Sequence, residues 1–439
     1  MAKPSALHSS SLVDTIITMQ DFQQGFKKLS NRTSLSPSGR HITHYKILAT
    51  GPELSQILAR AITLPFTYRF SPAGWRIAIQ FMLEKEPGNP IISKLRVIQL
   101  LEADMNFAFW LLWGKRLVHN TMAHSVISPW NLGGHPGARV HSALLLKTIS
   151  NDYLCFTQHN AIIFDSNTKA CFDRIIPSLG LMATEHLGMP QQATASTLAT
   201  IKGMHFFIHT AHGISPSFYT STAATLVLGV LQQSRAAPCI WISLSYILLQ
   251  ALQSHTTGFQ VSCPCNTRIS QCPGEAYVDN TDLWVTGISP STPSMTLTSS
   301  MQRIAQVWDC LLFASRGALA LQKWFYCLVQ WWWTPHGFPV MSRTTNSPTT
   351  VLQMISGRTT FPTLIPRVET STGRRTLGVR LVLDGSFSKE LAHRQDQALT
   401  WVHNIRAYPL IRDKVYMAYC SMWRTSFEYP LPITCFTKQ

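Results

Sequence analysis

The eleven residues Gly274–Trp284, GEAYVDNTDLW, constrain this chain more than any other stretch. Strand side chains alternate between the two faces of a sheet, and short strands around a tight polar turn make a hairpin. The run reads as such a hairpin. Tyr277 packs inward, and the turn carries Asp279, Asn280 and Asp282, which present carboxylates at its tip. Clustered oxygen donors of this kind suit Mg²⁺, a hard cation with an octahedral preference. Asp and Asn are also the ordinary residues of surface turns, so the run alone assigns no activity.

Further segments stand in a defined order around it. Upstream lies Ile163–Ile176, IFDSNTKACFDRII, an apolar strand entering a turn and a helix start. Between the two sits Gly229–Trp241, GVLQQSRAAPCIW. Phe81–Glu102 has a Lys before a Pro-Gly turn and an Arg in the return strand. Downstream are Gly317–Lys323, GALALQK, and Arg375–Val379, RTLGV. This series resembles the successive motifs of reverse transcriptases, with GEAYVDNTDLW similar to their YxDD turn. The resemblance runs from about Ser36 to Leu431. It is nearest to the retrotransposon polymerases, to which SPSGRHITHYK and YPLPITCFT are also similar.

The resemblance implies an α+β fold, a right-hand polymerase with fingers, a palm of antiparallel sheet backed by helices, and a partial helical thumb. It places a polar segment at 1–40, fingers at 41–125, palm at 126–385 with loop insertions near 254–275 and 286–300, and the thumb start at 386–439. In the palm, strands around Ile162–Phe164 and Ala276–Val278 are expected to pair antiparallel. The implied activity is template-directed nucleotidyl transfer to a primed RNA or DNA template from dNTPs. Two Mg²⁺ ions, or Mn²⁺, would stabilise the attacking and leaving oxygens. Asp279 and Asp165 would be metal ligands, with Asn167 and Asn280 at the neighbouring positions and Lys323 near the departing pyrophosphate. Lys85 and Arg96 would meet the triphosphate, Gln232 and Ser234 the template–nucleotide pair, and Leu377 and Gly378 the primer.

The sequence departs from that pattern where the chemistry is most demanding. Asn280 stands in place of the second Asp of the turn. Counting back six residues from Asp173 of the Phe172-Asp173 pair reaches Asn167, with Asp165 two residues earlier. Residues i and i+2 share a strand face, so Asp165 points the same way but is displaced by about 6.6 Å. An amide keeps one neutral oxygen but loses the charge that holds a hard cation. Gln233 occupies a position where the family has Gly, and Arg316 and Ala320 stand where it has Gly and Asn. Departures at four separate functional points imply an impaired or inactive polymerase. The alternative is a nucleic-acid-binding protein that keeps a basic surface without turnover.

Charge bears on that choice. In 439 residues, 37 Lys and Arg against 21 Asp and Glu give +16, which favours a polyanionic partner through counterion release. Only 13% of residues are charged and 45% are hydrophobic, so a membrane or scaffold protein is the rival class. The longest uncharged apolar run, Ala236–Leu252, sits at the short end of the ~17–25 residues a spanning helix needs and contains Ser243, Ser245 and Gln250. It reads as a buried helix. No basic region followed by a long apolar stretch opens the chain, so no signal peptide is expected, and the ten cysteines fit a reducing interior of nucleus or cytoplasm.

Two histidine and cysteine groups invite a metal reading. Cys263, Cys265 and Cys272 with His255 lack the usual zinc-finger spacings, and an exposed loop is expected there instead. In HFFIHTAH, Phe206 stands where an HExxH motif has Glu. The resemblance makes this segment a strand, with structural histidines at 205, 209 and 212. Helices are expected over Leu12–Leu29, Asp104–Val118, Ala138–Thr148, Met301–Gln330 and Lys389–Met422, the fourth ending in the Trp331–Trp333 run.

Overall fold

A computed structural model describes residues 12–85, 88–89, 91, 95–133, 137–222, 226–262, 269–287, 289, 291–343, 351–355 and 361–434. Helices and mixed sheets place the protein in the α+β class. Two compact units are each discontinuous in sequence. The first comprises Met1–Pro136, Thr168–Gln250 and Leu311–Ala318, and the second Gly137–Asn167, Ala251–Cys310 and Leu319–Gln439. Among the described residues no helix is long and apolar enough to cross a membrane.

In the first unit, β1 (Ile77–Glu84) pairs antiparallel with β2 (Leu95–Leu100) and parallel with β4 (His205–Thr210), which turns into β5 (Gly213–Ile214). The histidine-rich segment is therefore a strand. His209 stacks on Phe81 with ring centroids 4.4 Å apart, and His205 on Phe218 at 4.0 Å, which gives both a packing role. The helix expected over Leu12–Leu29 begins only at Met19. Thr18 and Asp21 close a capping box there, and Arg116 pins the extended residues before it by donating to the carbonyls of Asp14 and Ile16 at 2.7 and 2.8 Å. Phe22 and Phe26 are fully buried beside Phe107, with Phe26 and Phe107 centroids 4.5 Å apart. The expected Asp104–Val118 helix extends over Ala103–Ala123 with a π-helical stretch at Trp110–Leu117, and Trp113 is buried while Trp110 is half-buried.

The second unit is built on a five-stranded sheet. β3 (Ala161–Asn167) lies at its centre between β9 (Asn280–Thr286) and β10 (Phe325–Val329), with β8 (Gly274–Tyr277) and β15 (Arg367–Val368) at the edges. β3 is antiparallel to both neighbours. Its sheet partner is the return strand of the Gly274–Thr286 hairpin, whereas the expected pairing was with Ala276–Val278. One face carries Ile162, Phe164, Leu283, Tyr326 and Leu328, all at most 2% exposed. Each such residue contributes about 1.5–3 kcal/mol on burial, so this face anchors the unit. The opposite face carries Ile163, Asp165 and Asn167, with Trp284, Asp282 and Asn280 as their partners on β9.

The long helix expected over Met301–Gln330 is a correction. The helix spans Ser294–Ala314, and Phe325–Val329 is a central strand. Gly317, whose Cβ position would lie 3.0 Å from the Leu312 carbonyl oxygen, sits in the break between them. A strand buried on both faces is apolar throughout, and its composition resembles that of a buried helix.

Shorter hairpins surround this sheet: β6 (Phe259–Ser262) with β7 (Ile269–Cys272), β11 (Trp331–Trp333) with β12 (Pro339–Met341), β13 (Leu352–Met354) with β14 (Thr363–Ile365), and β16 (Arg374–Thr376) with β17 (Val379–Leu381). Gln302 and Gln306, a helical turn apart, receive the free backbone edge at 353 and 355, where Gln353 N donates to Gln302 at 2.9 Å and Ile355 N to Gln306 at 3.1 Å. The tail is helical over Ser388–Ala407 and again from Arg412 to Glu428.

Candidate functional site

The β8–β9 hairpin turns over two residues, Val278 and Asp279, because Tyr277 pairs directly with Asn280. Val278 has φ +56°. A β-branched residue rarely enters this region, and holding one there costs about 1–3 kcal/mol. The turn thrusts Asp279 and Asn280 toward the end of β3, where Asn167 lies opposite Asn280. The Asn167 amide bridges the turn. Its Nδ2 donates to Asp279 Oδ2 at 3.1 Å and to Asn280 Oδ1 at 3.2 Å. The Asn167 carbonyl in turn accepts from Ala320 N at 2.8 Å.

Asp282 does not stand at the tip, as the sequence suggested. It is 4% exposed within β9, opposite Asp165 on one side and Glu275 on the other. Lys147, from the buried middle of the Val140–Thr157 helix, reaches this group. Its Nζ lies 2.6 Å from Asp282 Oδ2, 3.6 Å from Glu275 Oε1 and 3.0 Å from Thr376 Oγ1 on β16. One ammonium thus ties a helix, the site hairpin and the β16–β17 hairpin together. Tyr277, expected to be buried, is only half-buried, and Glu275 is the buried member of that strand face.

Burial pushes the Asp165 carboxyl well above the ordinary carboxylate range, and the neighbouring Asp282 carboxylate adds to the effect against Lys147 and Arg374. Burial also lifts Glu275 to about 8, with Lys147 opposing. For Lys147 itself burial acts downward, but Asp282, Glu275 and Asp165 outweigh it and keep the ammonium charged. Asp282 Oδ1 is buried without a hydrogen-bond partner, and Asp165 lies directly opposite Asp282 on β3. Asp165 faces a cavity of about 60 Å³ lined by Lys147, Asn151, Trp284, Phe325 and Arg374 among others. Arg374 lies over the Phe325 ring, 4.8 Å from its centroid.

These residues do not fit a two-metal centre. Of the four ligand positions, only Asp279 is a carboxylate at the tip, and Asn167 directs an N–H at oxygens a cation would need. Asp165, two residues inward, is committed to Asp282 and the Lys147 cluster. Among the described residues no group of three or more His, Cys, Asp or Glu converges to hold a metal ion. Cys263 and Cys265 lie outside the described residues, as does the Pro87 part of the hairpin turn after Lys85.

Lys323 is exposed in the turn preceding β10. Leu377 and Gly378 form the turn of the β16–β17 hairpin with φ +47° and +92°, the paired positive angles of a type I′ turn. That turn is clamped. Tyr429 OH donates to Leu377 O at 2.7 Å, and buried Arg394, ion-paired to Glu390 at 2.5 Å, donates to Gly378 O at 3.3 Å.

The remaining residues belong to the first unit. Lys85 and Arg96 are exposed at the end of the β1–β2 ladder, where Arg96 pairs with Leu83. Lys85 acts electrostatically on Asp173, whose carboxyl burial pushes upward and Lys85 pulls back. Gly229 has φ +99°, and a Cβ there would lie 2.8 Å from Phe172 O, so the start of the Gly229–Trp241 segment packs its backbone on the Phe172-Asp173 pair. Ser234 is 3% exposed and its Oγ accepts from Ala236 N at 3.2 Å, a capping role at the start of the Ala237–Gln253 helix. Gln232 is half-buried and Gln233 exposed. Arg316 has φ +66° just past the Ser294–Ala314 helix, a conformation that favours glycine.

Lys147 and Glu275 were missed by sequence reasoning. The available signal was a lone Lys inside the apolar helical run ALLLKTI. No family model and no curated protein matches this sequence.

Proposed function

We propose that this chain is a right-hand polymerase-like protein related to retrotransposon reverse transcriptases. It binds primed RNA or DNA, and its own template-directed nucleotidyl transfer is impaired or absent. The observation that carries the reading is the register of β3 against β9. It sets Asn167 opposite Asn280 and beside Asp279, the relation that the motif order requires of the catalytic positions. The backbone contact of Gly229 with Phe172 and Asp173, and the clamped Leu377–Gly378 turn, support the same assignment of segments. The charge of +16 supports a nucleic-acid partner.

Asp279 alone supplies tip charge, and Asn167 and Asn280 supply amides. Preorganised charge is the main source of rate in phosphoryl transfer, and each lost interaction of this kind costs about 2.7–4 kcal/mol. Two losses bring turnover near background. Primer extension with Mg²⁺ or Mn²⁺ by the unmodified chain, beside Asn167→Asp with Asn280→Asp, is the test. Little extension by the first and partial recovery in the second is expected, with Gln233→Gly as a third change if nucleotide entry remains blocked. Equal rates for the two proteins would overturn the impaired-site reading.

A further inference from the structure

Trp331 faces Met341, Trp332 faces Val340 and Trp333 faces Pro339 in the β11–β12 hairpin, which forms a two-stranded ladder of its own. Its turn is rigidly specified. Thr334 N donates to Phe338 O at 2.9 Å, Gly337 N to Thr334 O at 2.9 Å, and Phe338 N to Thr334 Oγ1 at 3.0 Å. Its base is held as well, since Trp331 donates from Nε1 to His159 O at 3.2 Å and from its backbone to Asn160 Oδ1 at 3.3 Å. The first indole is therefore tied inward.

The outer rings are not. Trp332, Trp333 and Phe338 remain 43%, 56% and 67% exposed. An ordered hairpin that holds large rings in water forgoes the burial such side chains ordinarily gain, and exposed apolar groups gathered in this way mark binding surfaces. The surrounding sequence points to the class of partner. From Leu319 to Val368 the sequence contains no Asp or Glu, while Lys323, Arg343, Arg358 and Arg367 are basic. Flat aromatic faces set in a carboxylate-free basic stretch match an unpaired nucleic-acid strand, which offers phosphates to the cations and base faces to the rings. A duplex keeps its base faces stacked and satisfies only the first requirement.

We infer that the β11–β12 hairpin is a stacking platform for single-stranded RNA or DNA, with Trp332 and Phe338, which the register sets on the same face of the hairpin, taking base faces. The inference rests on the nucleic-acid reading above. It is tested by fluorescence anisotropy of a labelled 20-nucleotide oligo(dT) and oligo(U) with the full chain, across a salt series. Trp332→Ala with Phe338→Ala should weaken binding about tenfold or more while leaving the salt slope unchanged, because stacking is lost and phosphate contacts are kept. Trp332→Phe should retain most of the affinity. A bromouracil-substituted strand should photocrosslink to the unmodified chain within residues 331–341, a readout that survives if the double Ala variant fails to fold.

Unchanged affinity in a folded double variant, or crosslinks confined to other segments, overturns the hairpin assignment and leaves the nucleic-acid reading standing. Failure of the unmodified chain to bind either strand at low salt overturns both. Binding to phosphatidylserine vesicles that the double substitution abolishes, with oligonucleotide affinity untouched, would make the hairpin a membrane contact and overturn the inference.

Discussion

Asn167 Nδ2 lies 3.1 Å from Asp279 Oδ2 and 3.2 Å from Asn280 Oδ1, so a neutral amide does the bridging that a divalent cation would do between carboxylates. The tip is thereby satisfied without metal. Asn167→Asp with Asn280→Asp replaces the bridge by three carboxylates, and like charges about 4 Å apart repel by up to ~4 kcal/mol each at an effective dielectric near 20. In EDTA the double variant should melt several degrees below the unmodified chain, and Mn²⁺ should restore it. Thermal shift with and without Mn²⁺ checks this. A variant whose response to Mn²⁺ equals that of the unmodified chain would show that the tip does not assemble as described.

Lys147 is buried with Asp282 at 2.6 Å and Glu275 at 3.6 Å. Lys147→Met leaves those acids uncompensated and should destabilise by about 3–5 kcal/mol in urea unfolding. Asp165→Asn should cost less than about 1 kcal/mol, because burial already favours the neutral acid and an amide can donate an N–H toward Asp282 in its place. If Asp165→Asn is as damaging as Lys147→Met, Asp165 is not held protonated.

The same cluster sets a pH dependence. Burial raises Glu275 to about 8, and Asp165 is raised too, so between the ordinary carboxylate range near ~4 and about 8 the folded state binds more protons than the unfolded one. Stability from Glu275 is therefore full below that range, falls as pH climbs through it and levels off above about 8, and Asp165 acts in the same direction. Lys147, raised as well, adds nothing to the change until pH exceeds its unfolded value. Urea midpoints for the unmodified chain should fall from pH 5.5 to 8.5 by more than those of Glu275→Gln. Parallel curves for the two proteins would refute the assignment.

Arg374, Arg375 and Arg380 are neighbours on one hairpin but differ in their attachments. Arg374 sits over Phe325, Arg380 Nη2 lies 3.5 Å from His393, and Arg375 is exposed. On the proposed function, Arg375→Ala should lower the slope of log affinity against log salt by about 0.7–0.9, and the triple Ala variant by roughly 2–3. Only the triple variant should also lose thermal stability. A slope untouched by all three substitutions would remove this hairpin from the nucleic-acid contact.

Local pattern carried the hairpins and strands well. Gly274–Thr286 and Arg374–Leu381 each set strand residues about a two-residue turn, and the β3 run is apolar up to a polar turn, signals contained in a dozen positions. Phe325–Val329 was misread because a strand with two buried faces loses its alternation. The buried ion cluster was invisible for another reason. Lys147, Asp165, Glu275 and Asp282 come from separate segments, and nothing local in any of them names the others. Motif order set Asn167 and Asp165 as alternatives near Asp279, and the hydrogen bond of Asn167 to Asp279 is seen only in the structure.

β3 is the centre of its sheet, yet its two neighbours arrive at Asn280–Thr286 and Phe325–Val329, long after β3 itself has left the ribosome. Both of its edges must wait, unpaired and apolar, while more than a hundred residues of intervening chain are made. Late, distant pairing slows folding and leaves an exposed strand open to wrong partners. The protein's expression in intact form therefore hangs on protecting one seven-residue segment during synthesis, and a chain cut short before Val329 would leave that segment without its second partner for good.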